Sequence, residues 1–212
     1  DREAPRSMLV LDDPDHARLR RLVTHAFNAR AIEAVKPKVV EVADALLDAV
    51  AGKDRFDIIE EFSSPLPIIV IATMLGVDAA DVGDFQRWSK ALANVFSPIR
   101  SPEFLAALKA NADELSAYFE RAIAERRAAP RDDLISALVA VDDGGDRLTT
   151  EEIVTMCNLL LLAGNLTTTD LIGNCVLALL RHPEQLAKVQ ANPARIADAI
   201  EIAPVGETDR LQ

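Results

Sequence analysis

Residues 149–181, TTEEIVTMCNLLLLAGNLTTTDLIGNCVLALLR, constrain the fold more than any other stretch. They contain no proline, and at about 1.5 Å per residue a helix of this length runs roughly 50 Å. Thr149 with Glu152 three residues on has the spacing of a capping box, and Glu151 adds an acid where a helix N-terminus favours one. Apolar residues from Ile153 to Leu180 cover most of the circumference, which reads as a helix buried on all sides. Its middle nevertheless carries Ala163, Gly164, Asn165, Thr167, Thr168, Thr169 and Asp170. Glycine and threonine are poor choices for a helix centre, so this polar patch marks a place to look for function.

The rest of the chain reads as shorter helices around that one. Asp13 as N-cap with Pro14 at the first helical position opens a helix carrying Leu19, Leu22, Val23 and Ala26. The segment 28–30 interrupts, and Pro37 marks the next start, followed by an apolar face from Val39 to Val50. Phe56, Ile58 and Ile59 begin an apolar segment that leads to a buried helix over 68–75, stopped by Gly76. The spacing predicts further helices over 78–96, 103–128 (a surface helix) and 132–141, then two after Pro183 and Pro193. Ser97-Pro98 and Ser101-Pro102 bracket a turn. No period-2 segment stands out, so the expectation is one mainly α domain of about nine helices over residues 1–212.

Composition excludes several classes. A net charge of -11 argues against a nucleic-acid binder. Residues 1–38 run the other way, with eight Lys/Arg against six Asp/Glu, a locally basic surface that suits an acidic partner or is ordinary scatter. Cys157 and Cys175 lie too far apart on one helix for a disulfide and read as reduced structural thiols of a cytoplasmic protein. The central apolar run, 159–163, is far shorter than the ~20 residues of a membrane span, so no membrane segment is expected. A first residue of Asp1 reads as a processed or partial sequence.

Two constellations carry potential chemistry. His16 and Arg20 stand four residues apart on one helix face, two donors suited to a carboxylate or phosphate, or else a helix-stabilising surface pair. Ala163 and Gly164 remove bulk from one side of the long helix, and Thr167 shares their face. That threonine can bond back to a carbonyl and loosen the helix, leaving room for a flat ligand or for close helix packing. His25 and His182 have no companions at metal-ligand spacing, and no metal site is expected. The acid pairs Glu60-Glu61 and Asp132-Asp133 read as solvated helix starts.

The segment LDDPDHARLRRLVTHAF resembles the helix bearing the HxxxR motif of bacterial cytochrome P450 enzymes. LLLAGNLTTTDLIGN is similar to their central helix, where a small residue and glycine precede an acid and two threonines. FSSPLPIIVIATMLGV, ERRAAPRDDLISALV and LALLRHPEQL resemble the same family, in the family's order, across residues 8–201. The resemblance implies a mainly α prism around one long central helix, with heme b, O2 and monooxygenation of a small apolar substrate. His16, Arg20 and Arg210 then match heme-propionate ligands, and Ala163 and Gly164 lie over the heme. Thr167 matches the alcohol that guides protons to bound oxygen, and Thr168 supports it. A ferredoxin or flavodoxin electron donor is expected to dock near Arg18 and Arg21.

The chain departs from the family pattern at two places. Leu166 stands where the family has an acid, so protons must travel by water or another residue. Glu201 is followed by Ile202, Ala203 and Pro204 with no ExxR motif, which reads as a short internal loss, and neither cysteine has the context of the heme ligand. The N-terminal strands and the heme-ligand region are expected to be absent, and the chain by itself to be inactive. The alternative class is a non-catalytic all-α binding module with a hydrophobic pocket.

Overall fold

A computed structural model of the chain describes residues 6–27, 29–94, 98 and 101–202. The expected helix end at Phe96, residues 28 and 97, and Arg210 lie outside them. Nine α-helices and no strands occur among the described residues. In order they are α1 (Asp15–Ala26), α2 (Ala29–Val50), α3 (Pro65–Leu75), α4 (Val82–Ala93), α5 (Pro102–Ala128), α6 (Leu134–Ala140), α7 (Thr150–Arg181), α8 (Pro183–Ala191) and α9 (Ile196–Ile202).

The central helix α7 begins as its sequence dictates. Glu152 N–H donates to Thr149 Oγ1 at 3.1 Å, and Thr149 N–H donates to Glu152 Oε2 at 2.8 Å, closing the capping box. Helices α3, α4, α5 and α6 pack against it, α2 packs on α3, and α1 on α6. Leu75, Phe85, Phe119, Leu138, Ile153 and Leu161 are among the fully buried side chains at their junction. Each contributes about 1.5–3 kcal/mol by leaving water. Gly76 ends α3 at φ 74°, a left-handed conformation that glycine adopts without strain.

Several expectations fail for identifiable reasons. Helix α2 does not start at Pro37 but runs through it from Ala29. Pro37 and Glu33, whose carbonyl loses its partner there, are both exposed, so water can satisfy the break. Asp13 does not cap α1, which begins at Asp15 with no side-chain cap. Helix α5 is not a surface helix along its length, since Leu115, Phe119, Ala122, Ile123 and Arg126 enter the core.

Asp133 is not a solvated acid. Its side chain is 4% exposed and lies 2.9 Å from the Nε of Arg126, itself 2% exposed. Arg126 Nη2 donates to Gly76 O at 2.5 Å, and Ser136 N–H donates to Asp133 Oδ1 at 2.7 Å. This buried node joins the ends of α3, α5 and α6, with every polar group in use.

By length and composition α7 would suffice to cross a membrane, with a mean hydropathy of 1.2 over its most apolar window. Its place is nonetheless that of a bundle's spine, with α3, α4, α5, α6, α8 and α9 all in contact with it. Burial is not complete around it. Ala163, Thr167, Asp170, Asn174, Leu177 and Arg181 are exposed, and their spacing of three and four draws one open stripe along the helix.

Candidate functional site

His16 and Arg20 occupy successive turns of α1 and face the same cavity, about 480 Å³ in volume. Met8, Leu11 and Leu159 line its apolar part, and Asp12 and Asp13 its rim. Leu159 belongs to α7 one turn before Ala163, so the cavity brings α1 to the head of the open stripe. His16 Nδ1 stands 3.8 Å from Asp13, a loose contact.

The three arginines of α1 differ sharply. Arg18 Nε donates to Asp146 at 2.9 Å, its Nη1 to Glu152 at 2.6 Å, and its Nη2 to Arg147 O at 2.9 Å. The carboxylates of Asp146 and Glu152 push the Arg18 guanidinium above its ordinary range. Arg21 Nε lies 2.5 Å from Asp143, and its Nη2 lies 3.3 Å from Asp146. Arg20 has no ion-pair or hydrogen-bond partner for its guanidinium among the described residues. The basic face expected around Arg18 and Arg21 is thus largely neutralised by the loop before α7. The cation left over is the one at the cavity.

On α7, Thr167 Oγ1 donates to Ala163 O at 2.7 Å, the expected back-bond. The helix stays continuous through it, without the local break that such a bond can cause. Thr168 and Leu166 are half-buried. A Cβ added to Gly164 would meet no atom within 4 Å, so no packing within the described chain calls for glycine there. Thr167 and Thr168 do not line the cavity that holds His16 and Arg20.

Sequence reasoning missed the role of Asn165. It is buried, and its Nδ2 donates to Ser89 Oγ of α4 at 2.7 Å. Its neighbour Thr169 places Oγ1 3.2 Å from both Asn165 Oδ1 and Ser63 O, so its one hydroxyl hydrogen is shared between these two acceptors. The signal available was one amide inside an apolar helix; its partner Ser89 lies 76 residues away in sequence. Neither cysteine lines the cavity. Cys157 is fully buried, and burial pushes both thiols up from their ordinary range.

The cytochrome P450 family profile matches residues 2–201. Cytochrome P450 107B1 of Saccharopolyspora erythraea is 42% identical over 194 residues, 92% of this chain and 46% of that protein. The vitamin D(3) 25-hydroxylase of Pseudonocardia autotrophica is 40% identical over 195 residues, 92% of this chain and 47% of that protein. Among solved structures, ligand-free cytochrome P450 TbtJ1 superposes with a TM-score of 0.87 at 42% identity, covering 92% of this chain and 51% of that one. The chain therefore spans about half the length of these relatives. With sequence and backbone agreeing over nearly all of its own length, the chain belongs to the cytochrome P450 family.

Proposed function

We propose that this chain forms the oxygen-side half of a heme-dependent monooxygenase acting on a small apolar molecule. A bound heme supplies the family's chemistry, in which one atom of O2 enters the substrate and the other becomes water. The residues present suit such a group. Arg20 offers a guanidinium unpaired among the described residues and His16 a second donor in one cavity, the arrangement a propionate carboxylate needs. Gly164 faces open space at a cost of about 1 kcal/mol in helix propensity relative to alanine, a cost that a flat ligand explains. The unpaired Arg20 is the observation that carries the reading.

Each residue then has a task. Arg20 and His16 hold the anionic edge; Arg210, outside the described residues, matches the family's second propionate arginine by sequence alone. Ala163 and Gly164 keep the α7 surface low. Thr167 holds a proton at Oγ1, parked on the Ala163 carbonyl, and presents it to the open side; Thr168 supports that turn. Leu166 carries no proton, so water must deliver it along the stripe. The relative named as a vitamin D(3) hydroxylase supports an apolar substrate. An electron donor of ferredoxin or flavodoxin type completes the cycle, in the cytoplasm, and residues 1–212 act as one partial helical domain.

Hemin titration of the chain tests this. Saturable uptake is expected, weakened about tenfold or more by His16→Ala or Arg20→Ala, the order expected for one charged hydrogen bond. Uptake indifferent to both substitutions overturns the site. Apolar ligands bound without hemin would instead favour a non-catalytic binding module. Because both cysteines lie off the cavity, the carbon-monoxide difference spectrum of the loaded chain is expected to lack the band characteristic of thiolate-ligated heme.

A further inference from the structure

Two of the five buried polar side chains among the described residues, Ser89 and Asn165, meet at one level of α7. Thr169 extends the contact from Asn165 to the main-chain carbonyl of Ser63. The result is a polar seam joining α4, α7 and the π-helical turn Ile59–Ser63, on the side of α7 away from the open stripe. Nothing in the heme-edge reading uses it.

Its physical meaning follows from the helix that carries it. The stripe's Thr167, Asp170, Asn174 and Arg181 set the rotation only coarsely, because apolar side chains cover most of the remaining circumference of α7. A buried amide sets it closely, because any rotation strands it without a partner. Fixing register is the best-attested use of a lone buried polar residue. At about 100° per residue, Asn165 lies about 200° from both Ala163 and Thr167. Turning Asn165 inward therefore turns those two outward.

We infer that Asn165 is a positioning residue: clasped to Ser89 on one side and, on the other, to Thr169, whose hydroxyl also reaches the Ser63 carbonyl, it pins the rotation of α7 that presents Ala163 and Thr167 to the open side. The inference adds to the proposed role of Thr167 a reason why that residue points where it does. It also makes α4 the element against which Thr167 is aligned, since Ser89, next to the buried Trp88, belongs to that helix.

The test uses a thiol introduced by Thr167→Cys in the 212-residue chain, labelled with a disulfide reagent. Cys157 and Cys175 are buried and serve as the slow background. With Asn165 in place, the reporter labels in one fast phase. Adding Asn165→Leu or Ser89→Ala is expected to slow labelling by about threefold or more, or to split it into two phases, the order of one hydrogen bond. Ser89→Thr keeps the hydroxyl and is expected to restore the fast phase. The urea midpoint of Asn165→Leu is expected to equal or exceed that of the reporter chain, since an apolar side chain replaces a buried polar one.

Unchanged labelling in a folded Asn165→Leu chain overturns the inference. So does a fall in midpoint with faster labelling of the reporter and of Cys157 and Cys175, the signature of a merely structural residue. If Asn165→Leu does not fold, Ser89→Ala, which removes one hydroxyl, carries the same reading. No heme takes part, so a failed hemin titration with intact labelling results would remove the proposed chemistry and leave the pin.

Discussion

At Gly76 a single missing side chain decides how three helices meet. A Cβ there would come within 2.1 Å of Asp133 Oδ2, and the backbone is already left-handed. Gly76→Ala is expected to destabilise the chain by about 3 kcal/mol, as strain and a displaced buried carboxylate combine. A urea titration reads this, and a midpoint unchanged from the parent would mean the node is slack. The glycine was legible in the sequence as a helix stop. Its partner was not, because Asp133 stands beside Asp132 and two adjacent acids read as solvated. Only the turn after α5 brings Arg126 back over them. His16 and Arg20 were legible because helical spacing alone puts them on one face. The engagement of Arg18 and Arg21 by Asp143, Asp146 and Glu152 was hidden, since those acids lie more than 120 residues away.

Elements were easiest to read where a local signal sets them. Thr149 with Glu152, Ser101 before Pro102, and Gly76 each mark a boundary that the backbone respects. The misreading of α2 came from the same rules. Proline usually opens a helix, yet Pro37 sits inside one, on an exposed side where water meets the orphaned carbonyl. Proline there should still carry a penalty. Pro37→Ala is expected to stabilise α2 by about 1–3 kcal/mol, read as a higher melting temperature in circular dichroism. A lower one would show that the proline shapes a bend the packing needs. Helix α7 shows the limit of pattern reading. Its apolar residues encircle it, but burial follows which neighbours are present, and one stripe has none among the described residues.

At the scale of the whole molecule, large apolar side chains stay exposed on several elements that adjoin one another. Val40 and Leu47 lie on α2, Phe56 and Ile59 before α3, Leu177 and Leu180 on α7, and Ile196 and Ile200 at α9, with Leu180 66% exposed. A surface of this kind drives association in water. The chain is expected to scatter light increasingly with concentration, and Leu177→Glu with Leu180→Glu to reduce that scattering while leaving the urea midpoint near the parent value. Scattering unaffected by the pair would place the sticky surface elsewhere. Gly164 has a different consequence at this scale. Since its missing side chain faces empty space, a mutant library of this chain screened for heat resistance alone would drift toward alanine at 164, with nothing inside the chain to resist. A library screened for ligand retention would hold the glycine, so the divergence of the two pools at one codon would reveal which demand has governed that position.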